Sequence, residues 1–89
     1  MARVLLDVTN YLDWDQEALV FLPGQEDRLT AGLNLTYSVD TGFANVFGNP
    51  HLEFVGSRED LVELINRWAP GDDEEAVEER KIAVGDIEE

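Results

Sequence analysis

Cysteine is absent from this chain of 89 residues, which excludes disulfide scaffolds, thiolate zinc sites and cysteine nucleophiles. Histidine occurs once, at His51, so a cluster of histidine metal ligands is excluded as well. The longest apolar run, Ala18 to Leu22, is far shorter than the about 20 residues of a membrane span. The chain begins Met-Ala-Arg-Val, without the apolar stretch of a signal peptide. These absences predict a soluble, intracellular protein of the cytoplasm.

Basic side chains are also scarce, because five Arg and one Lys stand against 20 Asp and Glu, for a formal net charge of −14. So few cations cannot neutralise a row of phosphates, and the negative field repels nucleic acid and anionic membranes. Direct binding to DNA, RNA or a membrane is therefore disfavoured. The same field attracts a basic surface on another protein.

Strict alternation of apolar and polar residues extends from Leu29 to Asp40. The apolar positions are Leu29, Ala31, Leu33, Leu35, Tyr37 and Val39. A period of two that is sustained over this length predicts a half-buried strand. The segment from Arg3 to Thr9 alternates in the same way and predicts another strand, although Leu5 interrupts its polar side.

The segment from Glu17 to Leu22 allows two interpretations. As a strand, it ends at Pro23-Gly24, a pair that suits a turn leading into the strand at Leu29. As part of a helix that begins near Asn10, it places four residues on one stripe: Tyr11, Trp14, Ala18 and Phe21. The Val-Phe pair before the turn favours the strand.

Two more short strands are predicted from Phe43 to Phe47 and from His51 to Val55, because glycine and proline separate them. In the second of these strands, Leu52 and Phe54 are expected to point inward.

A helix is predicted to begin after Ser57, whose side chain can cap the backbone N–H of Asp60. Its apolar residues follow helical spacing: Leu61, Leu64, Ile65 and Trp68. Pro70-Gly71 then ends the helix.

Together these elements predict an α+β fold. We expect residues 1–69 to form a single domain, with a mostly antiparallel meander of four or five strands and one C-terminal amphipathic helix packed on one face. Residues 70–89 hold nine acidic and two basic residues, which is half of the net charge. We expect them to form an acidic appendage that is either a short helix or partly disordered.

Candidate catalytic and metal-binding groups are few. Asp13, Asp15 and Glu17 alternate like the opening of an EF-hand loop, but Ala18 and Gly24 occupy its sixth and twelfth positions. The three acids are therefore interpreted as a solvated turn between two strands. With no phosphate-binding loop and no convincing catalytic triad, we expect no catalysis, no metal ion and no cofactor.

The charge pattern leads to a hypothesis of function: a non-enzymatic acidic protein that occupies a basic, nucleic-acid-binding surface of a partner protein. Phage-encoded inhibitors of defence nucleases share this general character, although no motif here supports the analogy. The expected partner-binding residues are Asp72, Asp73, Glu74, Glu75, Glu78 and Glu79, with Glu59, Asp60 and Glu63 on the preceding helix.

The alternative is a plain interaction module or homo-oligomer, in which acidity serves solubility or salt adaptation. The outward face of the long predicted strand is uncharged and supplies the interface: Thr30, Asn34, Thr36 and Ser38.

Overall fold

The computed structural model of the chain describes residues 1–15, 18–37, 43–46 and 49–89. In chain order the elements are β1 (Ala2–Asp7), β2 (Leu12–Asp15), β3 (Ala18–Phe21), α1 (Gln25–Thr30), β4 (Leu35–Thr36), β5 (Phe43–Val46), β6 (Asn49–Gly56), α2 (Arg58–Trp68) and α3 (Glu74–Gly85). The α+β class predicted from the sequence is confirmed. Within these ranges, no helix is long and apolar enough to cross a membrane.

Strand β6 is the centre of the main sheet. It pairs antiparallel with β1 along one edge, from Ala2↔Gly56 to Asp7↔His51. Its other edge pairs with β4 at one end and with β5 at the other. Since β1 lies directly beside β6, the strands do not follow the chain order that a meander requires. Strands β2 and β3 form a separate antiparallel hairpin.

Alternation in β1 and β6 sends one face of each strand into a common core. Val4 and Leu6 of β1 are buried, and Leu52 and Phe54 of β6 are 0% exposed, so their predicted direction is confirmed. The same cluster contains the buried side chains of α2, which are Leu61, Leu64 and Ile65. On the other face of β1, Leu5 is 42% exposed.

Helix α2 begins as the sequence predicts. Ser57 has extended backbone angles, and its Oγ accepts a hydrogen bond from the Asp60 backbone N–H at 3.2 Å. This bond satisfies one of the amides that the first turn of a helix leaves unpaired.

The predicted strand from Leu29 to Asp40 is wrong over most of the described part. Leu29 lies in α1, Gly32 turns the chain with a φ of 79°, and β4 covers two residues. Leu29 is fully buried, but it reaches the core from a helix. Ala31 occupies an apolar position of the alternation and is nevertheless exposed. Residues 38–40 lie outside the described residues.

The strand interpretation of residues 18–21 is confirmed, because they form β3 and pair with β2. The alternative helix from Asn10 is wrong. The turn at Pro23-Gly24 leads into α1 rather than into a strand, and Gly24 has the positive φ of 79° that glycine adopts without strain.

Tyr37, which follows β4, connects the hairpin to the sheet through aromatic contacts. The centre of its ring is 5.8 Å from that of Phe21 and 5.3 Å from that of Phe54. Burial, and then a hydrogen bond with the Glu26 side chain, raise the pKa of Tyr37 to about 12. The hydroxyl therefore stays protonated throughout the physiological range.

For residues 70–89 the sequence leaves two alternatives, a short helix or partial disorder. The structure has the short helix, which is α3. Ala76 and Ala83 are buried along it, and Ile87 is buried after it. Beyond the helix, Glu88 forms two backbone hydrogen bonds with Arg3, at 2.8 and 2.9 Å. These bonds attach the end of the chain to the edge of β1 that β6 leaves open.

Candidate functional site

Six of the predicted partner-binding residues lie in the first half of α3 or just before it, and all six are exposed. They are Asp72, Asp73, Glu74, Glu75, Glu78 and Glu79, hereafter the α3 acidic surface. Residues four apart on a helix lie about 6 Å apart along its axis. Glu74 and Glu75 therefore each have a like charge one turn later.

None of these six carboxylates forms an ion pair within the described part of the chain. The ion pairs there join Arg3 to Glu88, Arg58 to Glu89 and Arg67 to Glu63. The charge of the α3 acidic surface is thus left unbalanced by direct contact.

Two arginine side chains donate hydrogen bonds to backbone carbonyl groups of the protein. Arg80 Nη1 donates to the carbonyl oxygen of Ala69 at 2.6 Å and to that of Gly71 at 2.7 Å. Arg67 Nη1 donates to the carbonyl oxygen of Ala31 at 2.7 Å. Ala69 and Ala31 are the C-terminal caps of α2 and α1, where helix carbonyls carry partial negative charge. These guanidinium groups therefore stabilise helix ends instead of balancing the carboxylates of α3.

The three acids predicted on α2 have different surroundings. Glu59 is exposed, and Asp60 is half-buried in the first turn. Glu63 Oε1 accepts a hydrogen bond from Arg67 Nε at 3.3 Å. Because Glu63 has a direct cationic partner, it contributes less to the unbalanced charge than the residues of α3 do.

The alternative interface does not have the predicted geometry, since its residues do not share one sheet face. Thr30 belongs to α1, where its Oγ1 donates to the Glu26 carbonyl oxygen at 2.8 Å. Asn34 precedes β4, and Thr36 lies on it. Ser38 lies outside the described residues.

The structure also differs from the solvated turn that is predicted for Asp13, Asp15 and Glu17. The backbone of Asp13 and Asp15 belongs to β2, while Glu17 and the side chains of all three lie outside what the structure describes. Among the described side chains, no group of three or more His, Asp or Glu could hold a metal ion.

A cleft of about 210 Å³ lies where the β1–β2 connection meets the end of α2 and the middle of α3. Its lining residues are Asp7, Thr9, Asn10, Tyr11, Trp68 and Glu79. The Tyr11 hydroxyl donates to the Trp68 carbonyl oxygen, and Trp68 Nε1 donates to the Asp7 carbonyl oxygen at 2.6 Å. These partners are 57 and 61 positions apart, so no local pattern in the sequence indicates the cleft.

Electrostatics link this cleft to the α3 acidic surface. Burial raises the pKa of Tyr11 above its usual value, the positive charge of Arg28 opposes this, and the negative charge of Glu79 adds to it. Glu79 therefore belongs to both features, as a member of the exposed acidic surface and as a wall of the cleft.

Comparison of the chain with protein-family models, with curated proteins and with solved structures finds no match.

Proposed function

We propose that the protein is a non-enzymatic binding protein whose α3 acidic surface covers a basic, nucleic-acid-binding surface of a partner protein. The observation that supports this proposal is the set of six exposed carboxylates without an ion pair among the described residues. Arginines that could balance them donate instead to backbone carbonyl groups. The protein acts in the cytoplasm in this proposal, where it competes with nucleic acid for its partner.

The spacing of the carboxylates determines how closely the α3 acidic surface can imitate the nucleic acid with which it competes. Residues one turn apart on a helix are about 6 Å apart along the axis, whereas DNA presents a phosphate about every 3.4 Å along each strand. The α3 acidic surface thus resembles nucleic acid in the sign of its charge and not in the spacing of its charges. Its contribution is long-range attraction, which speeds encounter with the partner and weakens as salt screens it.

Two variants that remove the same amount of charge test the proposal. The first neutralises Glu74, Glu75 and Glu78 to Gln on the α3 acidic surface. The control neutralises Asp27→Asn, Glu53→Gln and Asp86→Asn, which are exposed acids elsewhere on the protein. Partners are captured from the native cellular background, and each captured protein is assayed for DNA or RNA binding with and without this chain.

The wild type and the control variant are expected to capture a nucleic-acid-binding protein and to block its binding. The α3 variant is expected to lose this effect mainly through slower association, because exposed charges act on encounter more than on dissociation. Equal binding by both variants would show that the acidity serves solubility or salt adaptation. Capture of this chain alone would indicate a homo-oligomer and contradict the proposal.

A further inference from the structure

In the cleft beside α3, the hydrogen-bond donors of both aromatic side chains are already bonded to other groups of the protein. The Tyr11 hydroxyl and the Trp68 indole N–H both donate to backbone carbonyl groups across the cleft. The Thr9 hydroxyl donates to Asp7 Oδ1 at 2.5 Å, and the Thr9 backbone N–H donates to the same oxygen at 2.9 Å. Apart from the Asn10 amide, the lining therefore offers a ligand two aromatic rings and the carboxylate oxygens of Asp7 and Glu79.

Three residues of the lining are held in place before any ligand arrives. Tyr11 and Trp68 are each bonded at their polar end to the backbone of a distant part of the chain, and Asp7 accepts hydrogen bonds from Thr9. Binding therefore requires ordering of the exposed Glu79 side chain but little ordering of these three, which favours affinity.

The chemistry of the lining matches one kind of group. A guanidinium is planar and cationic, is attracted to aromatic rings, and donates hydrogen bonds in a fork that suits carboxylates. The volume of about 210 Å³ is below the roughly 300–1,000 Å³ of pockets for drug-sized ligands, so it suits a single side chain. We infer that this cleft binds an arginine side chain of the basic partner, with Asp7 and Glu79 accepting hydrogen bonds from the guanidinium beside Tyr11 and Trp68.

This inference rests on the proposed function and makes it more specific. The α3 acidic surface draws the basic partner in by its field, and the cleft at its border selects arginine over lysine. An ammonium group has the same charge, but it lacks the planar fork and the extended surface that lies against an aromatic ring.

One cation of the chain itself acts on the same site. Arg28 is exposed, and its charge acts on Tyr11, although Arg28 is not among the residues that line the cleft. Its charge repels an incoming guanidinium. Replacing Arg28 by Gln is therefore expected to strengthen arginine binding, whereas removing an acid from the cleft is expected to weaken it.

The test uses two capped hexapeptides, one of six arginines and one of six lysines, titrated into the full chain by calorimetry at low and at physiological salt. The variants are Glu79→Gln, which removes a carboxylate charge from the wall of the cleft, and Glu78→Gln, which removes the same charge from the neighbouring exposed position. Hexa-arginine is expected to bind the wild type more tightly than hexa-lysine. Glu79→Gln is expected to weaken hexa-arginine binding roughly tenfold, the change that about 1.4 kcal/mol produces, and Glu78→Gln to weaken it about twofold or less.

The indole N–H signal of Trp68 in NMR spectra gives a second readout at the site. It is expected to shift on addition of hexa-arginine to the wild type and to the Glu78→Gln variant, and to need roughly tenfold more peptide for the same shift in Glu79→Gln. Arg28→Gln is expected to bind hexa-arginine more tightly than the wild type does.

Failure of the inference and failure of the proposed function give different results. If both peptides bind equally in a salt-dependent manner, and the two glutamate variants behave alike, the cleft is not an arginine site and the proposed acidic binding still stands. If neither peptide binds at low salt, the proposed function and the inference both fail.

Discussion

Helices α2 and α3 are similar in length and lie next to each other, but they are held to the protein by different interactions. Helix α2 buries three large side chains completely: Leu61, Leu64 and Ile65. Helix α3 buries two alanines; of its larger apolar side chains, Val84 is half-buried against the core, while Val77 and Ile82 are 46% and 56% exposed. Burial of apolar surface is the main stabilising term of a fold, so α2 contributes much more to the core than α3.

Polar interactions add to the small apolar contribution that holds α3 against the core. Arg80 donates two hydrogen bonds to the connection between the helices, and the backbone of Glu88 pairs with that of Arg3. The outer surface of α3 is therefore not required for packing, and this leaves it free to carry charge. A segment can thus be ordered without contributing much to the core, and such a segment is suited to binding.

The largest effect expected from this comparison is that of Leu64→Ala in α2. The side chain is 0% exposed, so truncation removes its burial and leaves a cavity, with an expected loss of about 2–5 kcal/mol in the free energy of unfolding. Urea denaturation followed by circular dichroism measures this loss. Val77→Ala in α3 is the control and is expected to change stability by about 0.5 kcal/mol or less. Similar losses for the two variants would contradict the difference between the helices.

The next effect concerns the polar attachment of α3. Arg80→Gln removes charged hydrogen bonds to the carbonyl groups of Ala69 and Gly71, and it is expected to lower the free energy of unfolding by about 1.5–3 kcal/mol. Lys81→Gln removes the same charge from an exposed neighbour and is expected to leave stability nearly unchanged. Urea denaturation of both variants, with hydrogen exchange of the α3 amides, tests this. Equal exchange rates in the two would show that Arg80 does not hold α3.

A smaller effect is expected at the helix N-termini. Ser57→Ala removes the side-chain acceptor of the Asp60 amide and is expected to lower stability by about 1 kcal/mol. Asp73, the N-cap of α3, makes no side-chain hydrogen bond to the helix, so Asp73→Ala removes only a charge near the helix dipole. Its expected effect is about 0.3 kcal/mol, and thermal unfolding of both variants separates the two values. A larger loss at Asp73 than at Ser57 would contradict this ranking.

The elements that could be predicted from the sequence are those in which every local sequence pattern indicates the same structure. At α2, a cap, a stripe of apolar residues and a terminal Pro-Gly pair all indicate one helix. At Leu29 the signals conflict, since alternation favours a strand while the Glu-Asp-Arg order before it favours a helix. A glycine in the middle of the alternation, Gly32, is unfavourable in a strand and adopts a positive φ here. Alternation alone is therefore not sufficient to predict a strand at that segment.

The acidic surface could be located from the sequence, but the cleft could not. Composition alone places the carboxylates of α3 together, because they are neighbours in the chain. The cleft depends on a hydrogen bond between Tyr11 and Trp68, which are 57 positions apart in the sequence. The hydrogen bond from Arg67 to the Ala31 carbonyl oxygen joins residues that are 36 positions apart. Contacts of this range depend on the tertiary fold, and no periodicity in one sequence reports them.

The smallest expected effect concerns Glu79. Its substitution by Gln is expected to raise stability slightly and to weaken binding. Like charges one turn apart on a helix are unfavourable, so Glu79→Gln relieves repulsion from Glu75 and is expected to raise the free energy of unfolding by about 0.2–0.5 kcal/mol. For a domain of this size, such a gain raises the midpoint of thermal unfolding by about 1–4 °C. Calorimetric scans at low and at high salt measure it, and the gain is expected to shrink as salt screens the repulsion.

Glu78→Gln is the matched control, because it relieves repulsion from Glu74 and Glu75 but also loses the attraction of Lys81 three residues later. The lost attraction offsets one of the two relieved repulsions, so its net effect on stability is expected to be similar to that of Glu79→Gln. If Glu79 lines a binding site, both variants are more stable than the wild type at low salt, but only Glu79→Gln binds hexa-arginine about tenfold more weakly. A Glu79→Gln variant that is less stable than the wild type would show that this carboxylate supports the fold, and it would remove the contrast between a helix that packs and a helix that mainly carries exposed charge.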